Sequence, residues 1–401
     1  MSRSSRVVGV MLVHDEWPLV AYSAAHALVH HVDELWIIDH HSTDPLLDGV
    51  EVLAQCFGDR LHVMRLGDVA YRQAAIIAWA LERIRPDASD WIYVLDADEF
   101  LLTDPSSSLR DVLNNLSENI TTVRYGVDNF VAPRDLVLTC AADLSRVVAR
   151  SRATVSEEVP GAELAHQVHD GHLSFFDVPF KSKVIARGVQ TWFLAGAHGV
   201  AGQRVSDELA IEPGTVRAGH LVLLSRERLD RRAKAGRRLV EAGFGADHGW
   251  QSQLLWTLEQ SGQLDEFWIR HSVGEGGPAY DHDPALAKSM EVVVDRLAPY
   301  EAALRLAGAR ESHESADASA DDVFRSYSQL LHRVQRSLEA RSERMHEMVD
   351  ELTALRGEKN ELSRQRSELE IQQREIHNSA SWRVGQAITR LNIFKRRPAS
   401  R

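Results

Sequence analysis

The sequence WIYVLDADEF, residues 91–100, places acids directly after five apolar or aromatic residues. Such a run, preceded by the polar loop 85–90, predicts a strand buried on both faces, as in a parallel sheet. Asp96 and Asp98 therefore follow the carboxyl end of a strand, the edge where ligands bind in open α/β sheets. Neighbouring carboxylates repel each other unless a cation or a donor lies between them. The stretch predicts a site for a hard divalent cation, Mg²⁺ or Mn²⁺, with positions left for the oxygens of a diphosphate.

Two other interpretations of this acid pair were weighed. An acid-x-acid pair after a strand is also common as a solvated turn, and these residues alone leave that alternative open. An EF-hand calcium loop would need glycine at its sixth position, where this chain has Leu101.

Composition narrows the class of protein. The 401 residues are 44% hydrophobic and 26% charged, enough for one or two domains with a real core. The net charge of −12 argues against a nucleic-acid partner bound through its phosphates. Cys56 and Cys140 are too few for a disulfide framework, which suits a reducing compartment. We expect a cytoplasmic location, at the inner face of the membrane if the carboxyl-terminal tail binds lipid.

The first hundred residues alternate between strand and helix patterns. This alternation predicts right-handed crossovers and a mainly parallel sheet with a nucleotide-sized crevice at its carboxyl edge. The apolar run 7–13 ends in charged residues without a small-residue cleavage site, so we expect a strand rather than a secretion signal. The predicted strands are 7–13, 35–38, 61–65 and 91–95, and the predicted helices 18–30, 45–57 and 71–84.

The loops at that edge carry charged side chains. Asp15 and Glu16 follow the first strand, Asp39 follows the second, and Arg72 opens the third helix. Asp39 can accept hydrogen bonds from a uracil ring or ribose hydroxyls, and Arg72 can offset phosphate charge. Helix capping is the alternative for Asp15 and Glu16, and a surface helix charge is the alternative for Arg72.

Four motifs in this region resemble the family 2 glycosyltransferases and their relatives with the GT-A fold. The motifs are VMLVHDE at 10–16, IIDHHSTD at 37–44, YRQ at 71–73, and residues 91–100. The resemblance implies transfer of a sugar from a nucleotide diphosphate to an acceptor hydroxyl, with inversion at the anomeric carbon. It implies that Asp39 recognises the base and that the DxD motif of Asp96 and Asp98 holds metal and diphosphate. The His40-His41 pair departs from the usual polar-glycine pair, so the base is not predicted.

The second half resembles a bacterial branch of the same family through the order of a lysine strand, two histidines and a basic helix. That resemblance implies that Lys183 meets phosphate and that His198 or His220 completes the metal or diphosphate site. With 19 histidines in the chain, a surface or hydrogen-bonded role is the alternative for each. For the basic helix, a solvated face is favoured and binding of an anionic acceptor stays open. Asp128 and Asp247 are the candidate general bases by position, with a surface carboxylate as the alternative.

The expected fold class is therefore α/β: a GT-A-like mixed, mainly parallel sheet with flanking helices, a carboxyl-terminal helical cap and a coiled coil. The glycosyltransferase domain is expected over 1–307, with a nucleotide-binding half at about 1–118 and an acceptor half at about 119–307. A flexible linker is expected over 308–322, the coiled coil over 323–376 and an amphipathic basic tail over 377–401.

The carboxyl-terminal quarter has its own pattern. Apolar residues recur every seven positions in two offset rows, within 331–352 and 334–376. This predicts a coiled coil that forms homo-oligomers, with a single solvated helix as the alternative because polar residues such as Arg341 interrupt the seam. In the tail, Trp382 and Phe394 can dip into an anionic membrane surface, and docking on another subunit is the alternative.

We expect a metal-dependent, inverting glycosyltransferase that uses a nucleotide-diphosphate sugar and a glycan or lipid-linked acceptor, in bacterial glycan or polysaccharide assembly. A metal-dependent nucleotidyl or phosphoryl transferase is one alternative, but it would need a basic phosphate loop near the first strand, and Gly9 alone is none. A non-catalytic scaffold that acts through the coiled coil is the other.

Overall fold

A computed structural model describes most of the first three hundred residues and a short carboxyl-terminal helix. Described are residues 5–67, 71–104, 107–152, 161–178, 180–188, 192–201, 208–211, 215–241, 243, 245, 249–307, 366, 369–370, 372, 374 and 380–395. The chain divides into two units, residues 1–334 and 335–401. Asp247, the predicted linker and nearly all of the predicted coiled coil lie outside the described residues, so these assignments stay predictions.

The first unit is built on a strongly connected sheet. Its hydrogen-bonded neighbours run in the order β11, β7, β6, β8, β4, β1, β2, β3, while β10 pairs with β5 and β6, and β9 pairs with β6. The strands are β1 Val7–Val13, β2 Glu34–His40, β3 Leu61–Leu66, β4 Trp91–Leu95, β5 Glu99–Thr103, β6 Thr122–Val131, β7 Ala149–Ser151, β8 Lys183–Arg187, β9 Glu208–Ala210, β10 Val216–His220 and β11 Tyr280–His282.

Helices flank this sheet. The helices of the first unit are α1 Leu19–His30, α2 Leu46–Phe57, α3 Gln73–Ile84, α4 Leu109–Asn114, α5 Gly161–His169, α6 Arg226–Glu241, α7 Trp250–Gln260, α8 Leu264–Arg270, α9 Ala285–Leu297 and α10 Glu301–Ala307.

The sheet is mixed, so the expectation of a mainly parallel sheet was wrong. The pairs of β1 with β2, β2 with β3 and β1 with β4 are parallel, as the strand–helix alternation predicts. The pairs of β8 with β4 and β6, and of β10 with β5, are antiparallel. The alternation ends at β4, because β5 follows after three residues with no helix between them. Without a helical crossover, parallel pairing is no longer required.

Strand β4 is buried along its whole length, which confirms the predicted strand with two covered faces. Trp91 and Tyr93 pack into the cluster that contains the buried residues of α1, whereas Ile92 and Val94 pack into the cluster that contains those of α3. Because successive side chains of a strand point to opposite faces, this division means that β4 lies between two helical layers. The acids that follow it therefore leave the core at its carboxyl edge.

Two glycines allow close packing of the elements that carry the charged residues. A Cβ atom at Gly49 would lie 1.9 Å from the ring of Trp17, so α2 packs directly on the loop after β1. A Cβ atom at Gly236 would lie 1.9 Å from the carbonyl oxygen of Ser252, so α6 packs directly on α7. Both approaches require a residue without a side chain.

In the second unit, helix α11 spans Ala380–Lys395. Trp382, Val384 and Ile388 on this helix are exposed. None of the helices that the structure describes combines the length and the apolarity needed to cross a bilayer.

A buried histidine joins α8 to the segment before β8. His271 is 2% exposed, donates from Nδ1 to the carbonyl oxygen of Phe267 at 2.8 Å, and accepts from the amide of Phe175 at Nε2 at 3.0 Å. Only the neutral ring can make both bonds, since the imidazolium has no acceptor. Burial lowers the pKa of His271 to about 4.

We predict an acid-dependent loss of stability from this residue. The unfolded chain binds a proton near the ordinary histidine pKa and the folded chain only near pH 4, so stability is lost as the pH falls below the ordinary pKa. At pH 5 the free energy of unfolding should be about 2 kcal/mol lower than at pH 7 from His271 alone. Urea unfolding of wild type and His271→Gln at both pH values measures this. The exposed control His166→Gln should keep the wild-type pH dependence, and equal pH dependence in all three proteins would contradict the prediction.

Candidate functional site

The acids at the end of β4 form the centre of a charged cluster. Asp98 and Glu99 are buried, whereas the side chain of Asp96 is 36% exposed. These side chains follow a strand that is buried along its whole length, so their position is fixed by the core beneath them.

Lys183 is the cation closest to this edge. Strand β8 runs antiparallel to β4, with Tyr93 paired to Ile185, so the start of β8 lies beside the end of β4. Lys183 Nζ is 2.5 Å from Asp96 Oδ2 and 2.7 Å from Glu99 Oε2. Burial opposes the charge of Lys183, but Asp96 and Glu99 raise the pKa of the amine above its ordinary value. Burial raises the pKa of Glu99 to about 7, against the opposing attraction of Lys183.

Asp98 is bound from the other side by β10 and α6. Its Oδ2 atom accepts from Arg228 Nη2 at 2.8 Å and from Arg232 Nη1 at 3.2 Å, and it lies 3.4 Å from His220 Nε2. Burial alone would raise the pKa of Asp98, but Arg228, His220 and Arg232 hold it well below its ordinary value. Asp98 is therefore a carboxylate anchored in a cationic pocket.

Arg228 also connects this cluster to the loop after β1. Its Nη1 atom is 3.0 Å from Glu16 Oε2, and its side chain is 4% exposed. Burial raises the pKa of Glu16 even though Arg228 opposes the shift. A single buried guanidinium thus joins α6 to acids that follow two different parallel strands.

A cavity of about 410 Å³ opens beside this junction. The loops after β1 and β2 form one wall, including His14, Asp15 and Thr43. Helix α6 forms the other wall with one of its faces, because its lining residues recur at intervals of about three and four positions. These residues of α6 are Arg228, Arg231, Arg232, Lys234, Ala235 and Arg238.

Asp15 ties the two loops together. It has a left-handed backbone conformation, with φ of 54°. Its Oδ1 atom accepts from the amides of Thr43 at 2.7 Å and Asp44 at 3.2 Å. Asp44 in turn accepts from the amide of Trp17 at 2.7 Å. Asp15 therefore shapes the wall of the cavity.

Two residues predicted for nucleotide binding lie apart from the cavity lining. Asp39 is fully buried; its Oδ1 atom accepts from the amide of Ser42 at 2.9 Å and its Oδ2 atom is 3.4 Å from Arg65 Nε. Arg72 is exposed where α3 begins. Neither is among the residues that line the described cavity. Among the described residues Asp39 Oδ2 accepts no hydrogen bond, so it can still accept one from a base.

Asp128 belongs to a different ion cluster. Its Oδ2 atom is 2.6 Å from Arg217 Nη1 and 3.3 Å from Arg150 Nη1. The next residue, Asn129, contacts His220 through Oδ1 and Nδ1 at 3.1 Å. Since neighbouring residues of a strand face opposite sides, Asp128 points away from the acids of β4.

The predicted metal ligands are already paired with protein groups. Asp96 faces Lys183, Asp98 faces two arginines and His220, and His198 donates from Nδ1 to the carbonyl oxygen of Ser182 at 3.0 Å. In the part of the chain that the structure describes, no three His, Cys, Asp or Glu side chains converge as a ligand set. A divalent ion at Asp96 Oδ2 or Asp98 Oδ2 would have to displace buried ammonium and guanidinium groups, so the paired oxygens do not fit the predicted Mn²⁺ or Mg²⁺ site.

Sequence reasoning missed several members of the cluster. The sequence pattern predicts no role for Glu99 or Asn129, and it favours a solvated face for the arginines of α6. The spacing of Arg228, Arg231 and Arg238 could have indicated a single cationic face, because such intervals place residues on one side of a helix.

We predict that Lys183→Met strongly destabilises the fold. The substitution leaves Glu99, which is 3% exposed, as a buried carboxylate without its cation. Removing one partner of a buried ion pair lowers the free energy of unfolding by about 3–5 kcal/mol. Urea unfolding at pH 9, above the pKa of Glu99 in the wild type, measures the loss, and the double variant Lys183→Met/Glu99→Gln should recover a large part of it. A loss below about 1 kcal/mol, the range of exposed pairs, would contradict the buried pairing.

Comparisons with known proteins give distant structural matches. No family model and no curated sequence matches the chain. The fold is similar to a solved structure of GalNAc-T7 with UDP, GalNAc and Mn²⁺, with a TM-score of 0.34 and 10% identity over 56% of this chain and 45% of that chain. The chain thus spans less than half of that protein's length. It is also similar to the structure of S. aureus TarS 1-349, with a TM-score of 0.31 and 10% identity over 76% of this chain and 90% of that chain.

Proposed function

We propose that this protein is a glycosyltransferase that takes a sugar from a nucleoside-diphosphate donor and transfers it to an acceptor hydroxyl. The observation that carries the proposal is the cavity between the loops of β1 and β2 and the cationic face of α6. It lies at the carboxyl edge of parallel strands, where open α/β sheets bind nucleotides. Its guanidinium and ammonium groups are suited to a diphosphate.

The chemistry of the proposed transfer requires cations at the leaving group. The acceptor oxygen forms a bond to the anomeric carbon while the bond from that carbon to the diphosphate oxygen breaks. The nucleoside diphosphate leaves with the electron pair, and the proton of the acceptor hydroxyl passes to a base. Preorganised positive charge near the departing diphosphate lowers the barrier because negative charge grows there in the transition state.

The buried acids have a positioning role in this proposal. Asp98 and Glu16 both bind Arg228, and Asp98 also binds Arg232. These ion pairs hold α6 against the loop after β1, so the cationic face of the helix stays directed at the cavity. Asp96 is the most exposed of the acids after β4, but it is not among the residues that line this cavity.

Finer features rest on the sequence patterns alone. On that basis the proposal includes inversion at the anomeric carbon and a glycan or lipid-linked acceptor. It also includes self-association through the coiled coil and membrane contact by the tail. The general base is also a sequence prediction; Asp247 is outside the described residues, and Asp128 is bound by two arginines.

We predict that UDP or GDP binds this cavity and that Arg238→Ala weakens binding by about tenfold, the loss of one charge-assisted contact. Arg238 lines the cavity, whereas the adjacent Arg237 is paired with Glu241 at 2.7 Å and does not line it. Arg237→Ala is therefore the matched control, with the same change in net charge, and should bind as wild type does. Isothermal titration calorimetry with both nucleotides measures the affinities.

Two results would contradict the proposal. The first is that neither UDP nor GDP binds. The second is that Arg237→Ala loses as much affinity as Arg238→Ala, because the nucleotide would then be attracted by net charge and not by a defined site. A panel of nucleotide sugars assayed for turnover then identifies the donor.

A further inference from the structure

We infer that the site neutralises its diphosphate with the cationic face of α6 and binds no divalent cation through Asp96 and Asp98. This inference rests on the proposed function and specifies how the anionic donor is held. It departs from the metal site that the acid-x-acid motif predicts.

The charges around the acids are already close to balance. The carboxylates are those of Glu16, Asp96, Asp98 and Glu99, and the cations that contact them are Lys183, Arg228 and Arg232. A dication placed among these acids would meet three fixed positive charges at contact distances. Like charges at such distances repel strongly where water is excluded.

The pairing is also difficult to open, because its cations are buried. The side chains of Lys183 and Arg228 are 5% and 4% exposed, and that of Asp98 is 10% exposed. A metal at Asp98 Oδ2 would have to separate that oxygen from Arg228 and Arg232. The displaced guanidinium groups would then lose their anion in a buried position, which carries a large desolvation cost.

The cations needed for phosphate are instead present on α6. Lys234 and Arg238 are four residues apart, both are exposed, and both line the cavity. Residues at this spacing are neighbours on a helix surface, with Cβ atoms about 6 Å apart, so both side chains can reach one diphosphate.

Two further arginines of α6, Arg231 and Arg232, belong to the same wall. Their Nε atoms are buried and have no hydrogen-bond partner among the residues described. Arg231 is meanwhile held in place by the carbonyl oxygens of Asp15 and Trp17, at 3.2 and 3.1 Å from its Nη1 atom.

The direct test measures nucleotide affinity with and without metal. Calorimetric titration of UDP and GDP into the full chain is done in buffer with EDTA and in buffer with saturating MnCl₂. We expect the dissociation constant of the bound nucleotide to agree within about threefold between the two buffers. The double variant Lys234→Ala/Arg238→Ala should weaken binding by about 100-fold in both, through loss of two charge-assisted contacts.

The outcomes separate this inference from the proposed function. Binding that appears only with Mn²⁺, or tightens with it by more than about tenfold, would overturn the inference and leave the proposed function standing. Absence of nucleotide binding in both buffers would overturn both.

Electron paramagnetic resonance of Mn²⁺ with protein and UDP gives an independent readout. We expect wild type and Asp98→Asn to leave the same free Mn²⁺ signal. Loss of one equivalent of free Mn²⁺ in wild type, restored in Asp98→Asn, would also overturn the inference.

Discussion

The ion pairs at the end of β4 are the interaction on which the rest of the site depends. Asp98 lies between Arg228 and Arg232, and Lys183 lies between Asp96 and Glu99. The pairs connect β4 to β8 and to α6, elements separated by about ninety and one hundred and thirty residues in the chain. Buried pairs of this kind add little net stability compared with an apolar core, but loss of one partner is costly. Their main effect here is to fix where α6 lies.

The position of α6 determines the chemistry of the cavity. Arg228 reaches Glu16 after β1, and Gly236 allows α6 to approach Ser252 of α7. With α6 held by these contacts, Lys234 and Arg238 line the cavity wall. In the proposed function, the same acids that suggest a metal site hold the cations of α6 towards an anionic ligand. The charge on a departing diphosphate would then be met by cations of the chain itself.

Much of the nucleotide-binding half could be predicted from the sequence because its signals are local. The strand predicted at 91–95 is Trp91–Leu95, and the helix predicted at 71–84 is Gln73–Ile84. Strand β5, Glu99–Thr103, was missed because it pairs with β10, more than a hundred residues away. The register of β6 could not be predicted from the sequence for the same reason. Asn129 and not Asp128 faces His220, a one-residue difference that depends on long-range pairing. Which face of the basic helix is buried likewise depends on tertiary packing, so its arginines were assigned to solvent.

A crystal structure of the full chain with the bound nucleoside diphosphate, grown in the presence of MnCl₂, tests the central claim most directly. The account predicts that the phosphates contact Lys234 and Arg238 while Asp98 keeps its contacts with Arg228 and Arg232. Anomalous density for manganese bridging Asp96, Asp98 and the phosphates, with the arginines displaced, would contradict it.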